Sequence, residues 1–150
     1  MAMTIKVDVV ALGRPIYSGI ATFVVVPTEM GDIGITPLHA QTLSKLRPGE
    51  VVITTDKGEK LRFYVGFGVV EVQPYEISVL ADWALTEEDA KTIDPKELED
   101  EMSDKEKYIA EYEQRGVTDF TAAQLIMVEA AERLRWIREH SRSTKPGARH

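Results

Sequence analysis

Along residues 5–9 the chain alternates: Ile5, Val7 and Val9 are apolar, Lys6 and Asp8 polar, the two-residue period of a half-buried strand. The β-branched run "GIATFVVVP" predicts a second strand that ends at its proline. "VVITTDKGEKLRFYV" predicts two strands joined around Asp56-Lys57-Gly58, and "GVVEVQPYEISVLAD" repeats the arrangement with a turn at Pro74-Tyr75. Many short antiparallel strands, with no useful length of helix between them, predict a β-sandwich or barrel from Thr4 to about Ala84.

After Trp83 the period changes. "TIDPKELEDEM" supplies Asp94 as N-cap, Pro95 as first helical residue and Glu97 as the capping-box acid. Leu98, Met102, Ile109 and Tyr112 follow as an apolar stripe, interrupted by Lys105, until Gly116 ends the helix. Thr118 or Asp119 can cap a second helix, whose stripe is Phe120, Ala123, Met127, Ala130, Leu134 and Ile137. Alanines at 122, 123, 130 and 131 permit close approach, so the segment reads as an antiparallel helical hairpin. The expected organisation is a β-sandwich over residues 1–84 and a hairpin over 85–150, with a frayed tail from about 141.

Composition adds limits to this picture. The chain has 150 residues, 43% hydrophobic and 29% charged, as expected of a globular protein with a real core. It has no cysteine, which excludes disulfides and thiolate chemistry. No run approaches the roughly 18 apolar residues of a membrane span, and "MAMTIKVDVV" lacks the zones of a signal peptide, so the chain is expected to meet a membrane only through a partner. A formal charge of -7 argues against nucleic-acid binding. That charge is unevenly placed. Residues 86–113 carry twelve acids against four lysines, whereas 133–149 carry Arg133, Arg135, Arg138, Arg142, Lys145 and Arg149 against Glu139. The basic end is either a solvated face complementing its helix dipole or a surface that docks on acidic groups elsewhere. Trp136 lies off the second helix's stripe and is expected on its exposed side with Arg133, where it would favour the docking reading.

Catalytic chemistry finds no foothold. His39 is the one histidine outside the end of the last helix, there is no His-x-x-x-His pair for zinc, and neither a nucleophile elbow nor a phosphate-binding glycine loop is present. No catalytic residue, metal ligand or cofactor is therefore assigned, and the chain is expected not to be an enzyme. His39 itself has two readings: a locally hydrogen-bonded residue at the sandwich edge, or a protein contact. In the second it shares a loop with Ile33, Ile35 and Leu38, stiffened by Gly31, Gly34 and Pro37.

"GDIGITPLHA", "LRPGEV", "VVEVQP" and "ISVLAD", in that order and spacing, resemble the epsilon subunit family of bacterial F-type ATP synthases, and "MAMTIKVDVV" and "IYSG" are similar too. The resemblance implies a flattened sandwich in the central stalk, seated against the gamma subunit and the membrane-embedded c-ring. It also implies a hairpin that folds down or extends into the alpha/beta catalytic head to inhibit ATP hydrolysis, on the cytoplasmic face of the plasma membrane.

Residue by residue, Asp32, with Ile33 beside it, falls on the family's c-ring contact, and His39, with Leu38 beside it, on its gamma contact. Arg133, Arg135 and Arg138 correspond to the basic residues that approach an acidic loop of the beta subunit. Leu38 and Gln41 replace a usual glycine and proline, and Phe67 replaces the first of two usual glycines. Some members bind regulatory ATP. Here Glu88, Ile93 and Asp94 match that motif, but Glu97 and Leu98 stand where arginine and alanine belong, and a carboxylate repels a triphosphate. The competing reading is a free-standing β-sandwich binding module with a helical oligomerisation hairpin.

Overall fold

In the computed structural model, which describes residues 3–114 and 120–141, the chain divides into two compact units, Met1–Thr86 and Glu87–His150. The first begins with β1 (Ile5–Ala11), where the alternation buries Ile5, Val7, Val9 and Ala11. Leu12 and Gly13, at φ 50° and 71°, turn the chain directly into β2 (Arg14–Thr28). Two left-handed residues in a two-residue loop match the right-handed twist of a hairpin, although leucine accepts that conformation at a cost.

β2 is longer than the hydrophobic run alone indicates, and it continues through Pro27. Its first half pairs with β1. A register shift between Ala21 and Phe23 turns it, and its second half pairs on one edge with β3 (Gly31–Ile35) and on the other with β5 (Gly49–Thr55). β5 continues through β6 (Lys60–Val65) to β9 (Ala84–Thr86), which carries the sandwich two residues past Ala84. The other layer runs from β4 (Thr42–Leu46) through β7 (Gly68–Val72) and β8 (Glu76–Ala81) to β1, and β4 rejoins β2 at the pair Thr28 and Leu46. The expected all-antiparallel arrangement fails at one ladder: β1 and β8 are parallel, from Lys6 beside Glu76 to Ala11 beside Ala81. The architecture is nonetheless the expected β-sandwich.

Its core is built from compact branched side chains, among them Val24, Val26, Ile35, Val51, Ile53, Val65, Val70 and Ile77, all wholly buried. Each contributes about 1.5–3 kcal/mol of transfer free energy. Gly68 has a strict role, because a Cβ there would collide with the Leu80 carbonyl oxygen and approach Ala81 Cα to 2.8 Å. Gly66 leaves room for the Trp83 indole, which stacks on Tyr64 at 5.7 Å between ring centroids.

The second unit contains α1 (Glu87–Thr92), α2 (Pro95–Gln114) and α3 (Phe120–Ser141). α2 begins as expected: Asp94 Oδ1 accepts the Lys96 backbone N–H at 2.9 Å. Leu98, Met102 and Ile109 are partly covered, whereas Gly116, Thr118 and Asp119, and the side chains of Tyr112, Phe120 and Ala123, lie outside the description. Two expectations need correcting. The unit is more than a hairpin, because α1, unforeseen from the sequence, packs on α3 and buries Ala90 completely. Trp136 is not exposed either: it keeps 4% of its surface and stacks on His140 at 4.2 Å. His140 Nε2 lies 3.9 Å from Glu87 Oε1, so the side of α3 assigned to solvent faces α1.

Candidate functional site

The "GDIGITPLHA" segment is half strand and half loop. Residues 31–35 form β3, and its alternation sends Asp32 outward while Ile33 and Ile35 turn toward the core. Ile35 is fully buried and Ile33 half-buried, so the expected apolar docking loop of Ile33, Ile35 and Leu38 does not exist as such. Asp32 is exposed and paired with Arg47, Oδ1 to Nη2 at 2.8 Å. At the tip of the β2–β3 hairpin Met30 is 90% exposed. The tip is organised by buried Thr28, whose hydroxyl donates to the Gly31 carbonyl at 2.6 Å and accepts the Met30 N–H at 3.2 Å.

After β3 the backbone turns at Leu38, whose φ of 64° is the left-handed geometry that glycine takes freely. Its N–H donates to the Pro74 carbonyl at 2.8 Å, which anchors the loop to the β7–β8 turn and leaves the side chain half exposed. His39 N–H donates to the Thr36 carbonyl at 3.2 Å, and its Nδ1 lies 2.8 Å from its neighbour's carbonyl, Ala40 O. These bonds suit the locally satisfied reading of the ring and leave the Leu38 side chain as the projecting feature. Gln41, Thr42 and Leu43 line an open groove with Glu71, Val72 and Gln73 next to this loop.

The three α3 arginines have different surroundings. Arg138 is ion-paired with Glu99 of α2, Arg135 lies 3.6 Å from Glu139 on its own helix, and Arg133 is partly covered. Arg133 and Lys105 both favour the charged form of Glu101; the Lys105 hydrogen bond is the larger influence, and together they hold its carboxyl below the ordinary value. The Glu99–Arg138 pair joins the start of α2 to the end of α3, which makes the two helices antiparallel.

Of the nucleotide-motif residues, Glu88 pairs with Lys91 at 3.2 Å, Ile93 is half-buried, and the Asp94 carboxylate caps α2. No group of three or more metal-ligating side chains occurs among the described residues, and no helix there is long and apolar enough to cross a membrane. Within "LRPGEV", Arg47 is the partner of Asp32, a pairing that no local pattern in the sequence announces.

Comparisons with known proteins bear on both units. Residues 4–87 match the family model for the β-sandwich domain of the ATP synthase delta/epsilon chain. The ATP synthase epsilon chain of Thioalkalivibrio sulfidiphilus is 40% identical over 97% of this chain and all of its own length. That of Xylella fastidiosa is 39% identical over 95% of this chain and 98% of its own. A chain of the Euglena gracilis mitochondrial ATP synthase, solved with its c-ring, matches with a TM-score of 0.65 at 16% identity, over 91% of this chain and 80% of that one. A chain of the Tetrahymena thermophila mitochondrial ATP synthase central stalk and c-ring matches with a TM-score of 0.53 at 13% identity, over 91% and 96%. The structural likenesses speak for the fold; the close sequence relatives favour the stalk-subunit reading over a free-standing module. With a family model covering the sandwich and relatives that run through the helices as well, the chain belongs to the ATP synthase delta/epsilon chain family.

Proposed function

We propose that this chain is a non-catalytic central-stalk subunit of an F-type ATP synthase, with a sandwich that links gamma to the c-ring and a helical unit that restrains ATP hydrolysis. The observation that carries the reading is that likeness to ATP synthase epsilon chains extends through both units, not the sandwich alone. In this role Asp32, supported by Ile33, meets the c-ring, and Leu38, with His39 behind it, meets gamma. Arg133, Arg135 and Arg138 act on an acidic surface of the alpha/beta head once the helices leave one another. The protein is peripheral on the cytoplasmic face of a bacterial plasma membrane through the complex, where synthesis is driven by protons.

Regulatory ATP is not part of the role, because Asp94 is occupied as a helix cap and the motif's cation is replaced by Glu97. The test mixes the purified chain with a catalytic head of alpha, beta and gamma lacking its epsilon subunit. ATP hydrolysis is compared for the full chain and for a version ending at Thr86. Binding by both with inhibition by the full chain alone is expected; equal rates would remove the inhibitory role, and no binding would remove the stalk role.

A further inference from the structure

We infer that Arg47 is a positioning residue for ring docking: it fixes the Asp32 carboxylate, so that Asp32 meets the ring as an oriented, charge-compensated acceptor rather than as a lone anion. The inference rests on the reading of Asp32 as the c-ring contact.

Four bonds tie the two turns together. Arg47 Nη2 meets Asp32 Oδ1 at 2.8 Å, Arg47 Nε donates to the Thr28 carbonyl at 3.1 Å, and the Arg47 backbone N–H donates to the Pro27 carbonyl at 3.2 Å. Glu29 N–H completes the set by donating to the Lys45 carbonyl at 3.1 Å. The guanidinium therefore has two of its donor directions defined before any partner arrives, one by backbone and one by the carboxylate. Both side chains remain accessible, at 45% for Arg47 and 60% for Asp32, and Met30, two residues before Asp32, is exposed as well.

An ion pair as exposed as this contributes little to folding, so stability gives a weak reason for so defined an arrangement. Its geometric result is specific. Asp32 Oδ1 is engaged, which leaves Oδ2 to accept from a partner in a fixed direction. The chemistry that fits is a polar turn offering a hydrogen-bond donor. A purely basic loop fits less well, because the guanidinium already offsets the carboxylate charge.

The test reconstitutes the full-length chain with membranes carrying ATP synthase stripped of this subunit. Rebinding affinity, and proton pumping per ATP hydrolysed, are measured for Asp32→Asn, Arg47→Met, Arg47→Lys and the Asp32→Asn/Arg47→Met double variant, with thermal midpoints alongside. Arg47→Met is expected to weaken rebinding by roughly five- to tenfold, and the double variant to be no weaker than Asp32→Asn alone within about twofold. Arg47→Lys is expected to recover less than half of the loss, since an ammonium cannot hold Thr28 and Asp32 in the same fork. Should Arg47→Met fail to fold, Arg47→Gln, which keeps an amide donor for the Thr28 carbonyl, takes its place. Unchanged rebinding by the Arg47 variants, or losses that add to that of Asp32→Asn, would overturn the positioning role alone. Unchanged rebinding by Asp32→Asn would instead overturn the ring-contact reading on which it rests.

Discussion

Arg138, near the end of α3, is ion-paired with Glu99, near the start of α2, so a cation proposed to inhibit the enzyme is held by the acidic arm of its own unit. An exposed pair of this kind is worth about 0.2–1 kcal/mol, small enough for an acidic partner to outcompete. Replacing Glu99 by Gln is therefore expected to strengthen inhibition of ATP hydrolysis by up to about fivefold, and replacing Arg133, Arg135 and Arg138 together by Ala to relieve it. Titration of the catalytic head with each variant checks both directions; unchanged inhibition by the triple variant would remove the arginines from the mechanism.

Leu38 separates stability from docking. At φ 64° a leucine carries strain of about 1–2 kcal/mol, part of which glycine returns through its freer unfolded chain. Leu38→Gly is expected to stabilise the sandwich by about 0.5–1 kcal/mol in urea melts while weakening binding to gamma, because the exposed side chain is lost. A variant that gains stability with unchanged gamma affinity would show that the side chain is not a contact.

Trp136 is a structural residue of the helical unit. Removing a buried indole typically costs about 3–5 kcal/mol, so Trp136→Ala is expected to lower the denaturant midpoint of the helical circular-dichroism signal sharply. A shift of less than about 1 kcal/mol would contradict the packing described for α3.

The phenol of Tyr17 is shifted above its ordinary 10.0, first by partial burial and then by the charges of Asp56 and Glu59. Its protonated form is thus favoured in the folded state. Any stability linked to it is fully present below pH 10 and declines as the pH rises from there through the folded value. Tyr17→Phe is expected to flatten this part of a plot of thermal midpoint against pH, which a titration from pH 8.5 to about 11.5 would reveal.

The legible parts were those with a local cause. β1 declared itself by alternation, the β5–β6 turn by Asp56-Lys57-Gly58, and the start of α2 by Asp94 and Pro95. β3 reads as loop because its two glycines mask a short strand, and β4 goes unannounced because "TLSKL" carries only two apolar residues. α1 is too short to display a helical period. Trp136 was misplaced because a single stripe assumes a single covered side, whereas α3 meets α1 as well as α2. The Asp32–Arg47 pair spans fifteen residues and depends on two turns meeting, which no local pattern announces.

The parallel ladder between β1 and β8 also bears on how the chain is made. Lys6 pairs at Glu76, about seventy residues later, so β1 waits for β8 before its second edge is covered. At ordinary synthesis rates of about 5–20 residues per second that interval is roughly 4–14 s. Until then β1 can rely only on its hairpin with β2, an arrangement that is marginally stable by itself. During that interval β1 keeps one edge open to mispairing, and the helical unit emerges only after the sandwich has all its strands.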